Sequence, residues 1–362
     1  MLDERLLDDP GRLADADGAA GGCLRAAAAA GAQVRSTVEA GAEVGIAELS
    51  GSRPRAVVFL TRPGISRAVV DLLIALLGPA CPVPLVRADT LPSWVGPLDV
   101  VFGHTDDPGD HVLAESVDRA RRYGAQFVLT GPADGPVAAA AAGTARLLPP
   151  RVPTPVGFGF PRVLAAGLLL LDTLGLLRTD LDLLADELDK EAERDHAGYE
   201  SFVNPAKSLA LRLAERSPVL CGLDPVATAV AGHAVDALAG FAGVVATASD
   251  YAQFGSRTVL HRAAVRGGAE QDIFADPDDS PGSLLLRVVL LAVRDDQQAE
   301  SVRRAATELL PGADVLEVAE GTSGEASVRA AVLALRVELA AVYLGLAGGS
   351  LGGPGRHAAA FA

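Results

Sequence analysis

Of the 31 lysines and arginines in this 362-residue chain, only Lys190 and Lys207 are lysine. Lys207 stands in "NPAKSLALRL" (204–213), three residues after Asn204, which has the form of a helix N-cap with Pro205 at the first helical position. The first turn of a helix mildly disfavours a cation. Two readings stay open: an ordinary first-turn residue of a well-capped helix, or a compact ammonium held for a site that binds an anion. Arg162 raises the same question, because it opens the apolar stretch "FPRVLAAGLLLL" (160–171). A guanidinium in that setting wants an anion, either a substrate or an acidic neighbour.

In an open parallel α/β sheet, ligands sit beyond the carboxyl ends of the strands, so two loops matter most. "TRPGISR" (61–67) offers Ser66, one glycine and two arginines, but not the successive glycines whose bare amides wrap a phosphate. "GHTDDPGDHVL" (103–113) offers the Thr105 hydroxyl, crowded by Asp106, Asp107 and Asp110. A carboxylate about 4 Å from a phosphate oxygen is repelled by roughly 4 kcal/mol at an effective dielectric near 20. Capping accounts for the same loop, with Asp107 as N-cap, Pro108 at N1 and Asp110 favourable to the helix dipole. The six histidines show no metal-ligand spacing, and Cys23, Cys81 and Cys221 lie far apart, so no metal, disulfide framework or cofactor is expected. After a strand there is no G-x-S-x-G, no P-loop and no G-x-G-x-x-G.

A net charge of −15 argues against nucleic acid and against an anionic membrane surface as partners. The N-terminus "MLDERLLDDP" is acidic where a signal peptide would be basic. The most apolar run, 163–177, is interrupted by Asp172 and is too short to span a bilayer. A cytoplasmic protein is therefore expected. Apolar residues make up 49% of the chain and aromatics only 4%, so Ala, Leu and Val must fill its core.

Short β-rich runs alternate with Ala/Leu-rich helical stretches, which predicts βαβ units around parallel sheets. Strands are expected at 55–61, 83–88, 98–103, 126–131 and 145–149, then again at 217–222, 243–248, 257–263, 284–293 and 313–319. Helices are expected at 66–78, 111–124, 161–177, 178–198, 205–215, 225–240, 297–310 and 325–346. The repetition of five strands predicts two doubly wound parallel-sheet domains related by duplication. The divisions that follow are a helical segment 1–54, a first domain 55–160, connecting helices 161–200, a second domain 201–347 and a mobile tail 348–362. Residues 276–283, "DPDDSPGS", read as a polar loop.

Four stretches in this order, "TLPSWVGPLDVVF" (90–102), "FPRVLAAGLLLL" (160–171), "NPAKSLALRLAERSPVLCG" (204–222) and "LAAVYLGLA" (339–347), resemble the bifunctional phosphoglucose/phosphomannose isomerases, which carry two flavodoxin-like sugar-isomerase (SIS) domains. The resemblance covers roughly 55–347. It implies aldose–ketose isomerisation of sugar 6-phosphates through a cis-enediol without a metal, in a homodimer with helices 161–177 and 325–346 as candidate surfaces. It also implies that Arg162 is catalytic and that Asn204 and Lys207 line the sugar site. The chain departs from the pattern elsewhere. The serine/threonine-rich phosphate loop is replaced by "GHTDDPGD", leaving Thr105, with Ser66 in the other loop, as the hydroxyls available to a substrate. No Glu occurs between Glu215 and Glu270, so Asp250 is the nearest carboxylate to the family's base and His261 the nearest stand-in for its ring-opening His. No lysine follows Lys207. Loss of a positioned base costs about 10²–10⁴ in rate. The expectation is a protein that binds a sugar phosphate with isomerase activity weak or lost. The alternatives are an active isomerase using Asp250, His261 and Thr105, or a structural dimer with an empty cleft.

Overall fold

The computed structural model describes residues 2–269 and 286–351, and the side chains of 266–269 are outside that description. The expected loop 276–283 and the end of the expected tail, from 352 on, lie outside the described residues. The chain packs into two compact units, one formed by Ala28–Asp189 and the other by residues 2–27 together with 190–351.

In the first unit, five strands form one parallel sheet: β1 (Ala56–Leu60), β2 (Leu85–Ala88), β3 (Asp99–His104), β4 (Gln126–Thr130) and β5 (Arg146–Leu148). Their order is β2-β1-β3-β4-β5, the flavodoxin-like order, with its switch point between β1 and β3. All five residues of β1 and all six of β3 are buried, as expected when helices cover both faces of a sheet. Alternation sorts them. Val58, Leu60, Val101, Phe127 and Leu129 face helices α6 (His111–Tyr123) and α7 (Gly135–Ala141) through Leu113, Val117, Ala120, Val137 and Ala141. Phe59 and Phe102 point to the other face, their rings 6.2 Å apart edge to face. Helix α8 (Phe160–Thr173) packs there against α4 (Ala30–Glu43) and α5 (Ser66–Leu77).

The second unit has four parallel strands, β6 (Ser217–Gly222), β7 (Thr247–Asp250), β8 (Leu286–Leu291) and β9 (Asp314–Leu316), in the order β7-β6-β8-β9. This repeats the first four positions of the other sheet, so the duplication is visible in topology. Among the described residues the sheet has four strands where five were expected, because the run 257–263 is helical. It belongs to α13 (Thr258–Ala269), whose Leu260 and Ala264, one turn apart, join Phe254 on the core while Val259 is exposed. Strand β7 starts four residues later than expected, because α11 (Pro225–Ala237) continues as a π-turn over Leu238–Ala242 and Gly243 at φ 65° ends it.

The N-terminal residues form helices α1 (Glu4–Leu7), α2 (Pro10–Ala19), α3 (Cys23–Ala28) and α4, followed by a 3₁₀ turn at Ile46–Leu49. The first three are nearly all in the second unit and α4 is in the first. Helix α9 (Leu181–Arg194) carries the chain back across the same division.

Helix α15 (Ala326–Ala347) is long and apolar enough to cross a membrane, yet it is buried, packed against α10 (Pro205–Leu213) and α11. Its apolar residues, like those of α8, are core residues and not a free surface for a partner. It also carries charge inward. Arg336 donates from Nε to Glu191 at 2.5 Å and from Nη1 to the Glu317 carbonyl at 2.7 Å. Tyr343 donates to the Asp195 carbonyl at 2.6 Å.

The Asp195 side chain is 1% exposed and accepts the Ala206 N–H at 2.8 Å, and burial together with the neighbouring Glu191 carboxyl pushes its pKa up to about 8. A carboxyl that holds its proton more tightly folded than unfolded contributes stability below its ordinary pKa. That contribution fades as pH rises towards the folded value. The denaturation midpoint of the wild type should therefore fall between pH 5 and pH 8.5. Asp195→Asn should flatten that dependence and stabilise the protein at pH 8.5 by about 1 kcal/mol or more, one pKa unit being worth about 1.4 kcal/mol. Urea titrations at the two pH values check this, and equal slopes for both proteins would contradict it.

Candidate functional site

The first sheet's switch point lies where β1 and β3 end, and the residues there are polar although they are buried. Strand β3 ends in His104 and leads into the loop 105–110, and Asp110 caps α6 by accepting the Leu113 N–H at 3.0 Å. The cap is thus Asp110 and not Asp107, whose Oδ1 instead closes a turn on the Gly109 N–H at 2.8 Å. The helix begins three residues later than the Asp-Pro pair suggests. Gly135 holds the loop from outside: its φ is 81°, and a Cβ there would lie 2.6 Å from the Pro108 carbonyl oxygen. Only glycine permits both.

Two of the loop's three carboxylates, Asp106 and Asp110, meet a guanidinium. Asp110 Oδ2 accepts from Arg62 Nε at 2.6 Å and from the Thr105 hydroxyl at 3.3 Å. Burial raises the Asp110 pKa, but the Arg62 hydrogen bond, the Leu113 N–H and Thr105 outweigh it and hold the carboxyl below its usual range. Asp106 Oδ1 lies 3.3 Å from Arg162 Nη2, and its Oδ2 lies 3.5 Å from His104 Nε2. His104 Nδ1 in turn sits 3.0 Å from the Thr130 hydroxyl at the end of β4.

Arg162 enters from the first turn of α8 and is 6% exposed. Its guanidinium lies against Gly159, where a Cβ would come within 3.3 Å of Nη2 and of Ile65 Cδ1. Burial lowers its pKa and the Asp106 charge opposes that. Nη1 is buried with no hydrogen-bond partner among the described residues. Of the two anions considered for this arginine, an acidic neighbour is present, and one face of the guanidinium still lacks any acceptor.

The structure thus gathers Thr105 and Arg162 around one loop. Thr105 is 2% exposed, and its hydroxyl oxygen also accepts the Asp107 N–H at 3.1 Å. Ser66, buried at the start of α5, donates to the Leu60 carbonyl at 3.4 Å. Arg62, His104, Asp106 and Asp110 were not singled out as site residues. The signal available was the pairing of an arginine-bearing loop after one strand with an aspartate-bearing loop after its neighbour.

The remaining residues belong to the second unit. Asp250 ends β7, is exposed, and caps α12 (Tyr251–Ser256) by accepting the Gln253 N–H at 2.8 Å. His261 lies in α13 with its ring 5.5 Å from that of Phe254. Asn204 caps α10, accepting the Lys207 N–H at 2.9 Å, and its amide donates to the His196 carbonyl at 3.1 Å. Lys207 is fully buried. Its ammonium donates to the carbonyls of Leu7 at 2.5 Å, Ala197 at 2.8 Å and Tyr199 at 2.6 Å, and lies 5.4 Å from the Tyr343 ring centre. An ammonium has three protons, and here each has a backbone acceptor. Among the described residues, no group of three or more His, Cys, Asp or Glu is placed to hold a metal ion.

No protein-family model matches the sequence, and no curated protein sequence does. Solved structures do. A candidate phosphosugar isomerase from Silicibacter pomeroyi is 17% identical, with 90% of this chain and 97% of that one covered at a TM-score of 0.61. The C-terminal domain of glucosamine-fructose-6-phosphate aminotransferase from Francisella tularensis is 10% identical over 90% and 96% of the two chains, with a TM-score of 0.62. Tagatose-6-phosphate ketose/aldose isomerase from Escherichia coli is 10% identical over 90% and 93%, also at 0.62. These likenesses establish the fold: two flavodoxin-like domains of the sugar-isomerase type in one chain.

The Lys207 geometry makes a direct claim about stability. Lys207→Met leaves three carbonyls without their donor, and each hydrogen bond to a charged group is worth about 1.5–3 kcal/mol. A loss of about 3 kcal/mol or more is expected in urea denaturation. Unchanged stability would mean that the ammonium is not an anchor.

Proposed function

We propose that this chain binds a sugar phosphate at the carboxyl edge of its first sheet and that its aldose–ketose isomerase activity is weak or lost. One observation carries the binding half: Arg162 buries a guanidinium at that edge with Nη1 unpartnered. A phosphate oxygen accepts from Nη1 while Asp106 keeps Nη2. Thr105 and Ser66 border the same edge and supply hydroxyls once their internal bonds are exchanged for the ligand. The fold, shared with proteins named for phosphosugars, supports the ligand class.

The second half rests on what a base requires. Enediol chemistry needs a carboxylate within hydrogen-bond reach of the C1 or C2 proton and tuned near the working pH. Asp110 is held below its usual range by Arg62 and by a helix N-terminus, which makes it a poor base. Asp250 is exposed and engaged as a helix cap, and Lys207 is engaged in the core. A homodimer and a cytoplasmic location belong to the same reading.

Proton NMR in D₂O, with stoichiometric protein and fructose 6-phosphate or mannose 6-phosphate, tests both halves. Substrate lines should broaden, Arg162→Gln should reduce the broadening, and no deuterium should enter C1 or C2 over a day. Deuterium at either carbon would establish a working base and the active-isomerase reading. Sharp lines with both sugars would remove the binding half.

A further inference from the structure

The second sheet has its own switch point, between β6 and β8, and a cleft of about 240 Å³ lies over it. Its floor is Asp224. One oxygen of this carboxylate accepts the N–H groups of Val226 and Ala227, both at 2.9 Å, and the other accepts those of Val293 and Arg294, both at 3.1 Å. Asp224 thereby ties the loop after β6 to the loop after β8. It also engages backbone donors that would otherwise face a bound anion. The N-terminus of α11 is closed to a ligand, and whatever binds must be met by side chains.

Those side chains have a specific character. Arg329 is fixed in place, donating from Nε to the Val293 carbonyl at 2.7 Å and from Nη1 to Asp295 at 3.0 Å. Arg303 pairs with both Glu300 and Glu317. Arg294 also lines the cleft, and its guanidinium makes no hydrogen bond or ion pair among the described residues. Guanidinia and carboxylates therefore line one small cavity together. A bare anion meets repulsion from Asp295, Glu300 and Glu317. The apolar part of the wall is Leu223, Ala292 and Ala299, and a hydrocarbon seated there would also strip water from the surrounding charges without replacing it. A molecule with an anionic head and several O–H donors satisfies both kinds of wall, because guanidinia take the head and carboxylates accept from the hydroxyls.

We infer that this cleft is a second ligand site, for a small phosphomonoester of a polyhydroxy compound, with the phosphate on Arg294 and Arg329 and hydroxyls donating to Asp295 and Glu300. The site lies wholly within the second unit and does not depend on Arg162. The volume sits below the usual range of small-molecule pockets, about 300–1,000 Å³, which restricts the ligand to about one sugar or polyol.

Isothermal titration with mannose 6-phosphate, and separately with inorganic phosphate, tests this in the wild type, Arg162→Gln, Arg294→Gln and the double variant. Arg294 is exposed and has no side-chain partner among the described residues, so Arg294→Gln should melt at the wild-type temperature. The wild type should bind two equivalents of mannose 6-phosphate and Arg294→Gln should lose one, with affinity at that site falling about tenfold or more, the value of roughly one charge-assisted contact. Arg162→Gln should retain the Arg294-sensitive equivalent. Inorganic phosphate, lacking hydroxyls, should bind there at least tenfold more weakly than mannose 6-phosphate. Binding that is wholly abolished by Arg162→Gln and untouched by Arg294→Gln overturns this inference and leaves the first-sheet reading standing. Binding that depends only on Arg294 does the reverse. Should Arg162→Gln fail to fold, the stoichiometry of Arg294→Gln against the wild type decides alone.

Discussion

A guanidinium that loses its water must gain an anion, and much of this molecule is arranged around that requirement. At the end of the first sheet the anions are Asp106 and Asp110, placed by one loop whose conformation Gly135 permits. Under α15 the anion is Glu191. Over the second sheet the roles reverse, and the Asp224 carboxylate gathers backbone N–H groups instead of a side-chain cation. In both units a carboxylate of the chain itself stands where an open α/β sheet ordinarily receives a ligand's phosphate. The acidic loops that look hostile to phosphate in the sequence are, in the fold, its internal substitutes.

Arginine suits these buried settings better than lysine. The guanidinium pairs with carboxylates through a planar fork and holds its charge under burial. Lys207 occupies the one setting described here that asks for the opposite geometry: three carbonyls converging on a point, from Leu7 in α1 and from Ala197 and Tyr199 in the turn before α10. A compact ammonium with three donors fits that triangle, and a flat fork does not.

The architecture was largely legible in the sequence because parallel strands buried on both faces write themselves as continuous apolar runs, as "AVVFL" in β1 and "VVF" in β3 do. The exception is instructive. "TVLHRA" has the β-branched start of a strand, and only the burial of Leu260 with Ala264, one helical turn apart, identifies the period. Caps were legible where one candidate stood alone, as with Asn204, and misplaced where three aspartates competed within five residues. The site was legible by residue type and not by partner. Arg162 announced a need for an anion, but Asp106 lies 56 positions away in sequence and nothing local ties them. Lys207 was misleading for the same reason, since its acceptors are backbone carbonyls and carry no residue identity.

The bond from Lys207 to Leu7 spans 200 positions, and the unit it fastens is completed by two pieces of chain separated by all of the other unit. During synthesis, residues 2–27 are made before a unit they do not join, and α10 follows only after it. At about 5–20 residues per second, the leading helices wait on the order of ten to forty seconds for their anchor. Through that interval Leu6, Leu7 and Leu13, all buried in the finished protein, have no core to enter. The first sheet can close in that time. The leading helices stay exposed to whatever attends the emerging chain, so through that interval residues 2–27 are open to aggregation and proteolysis.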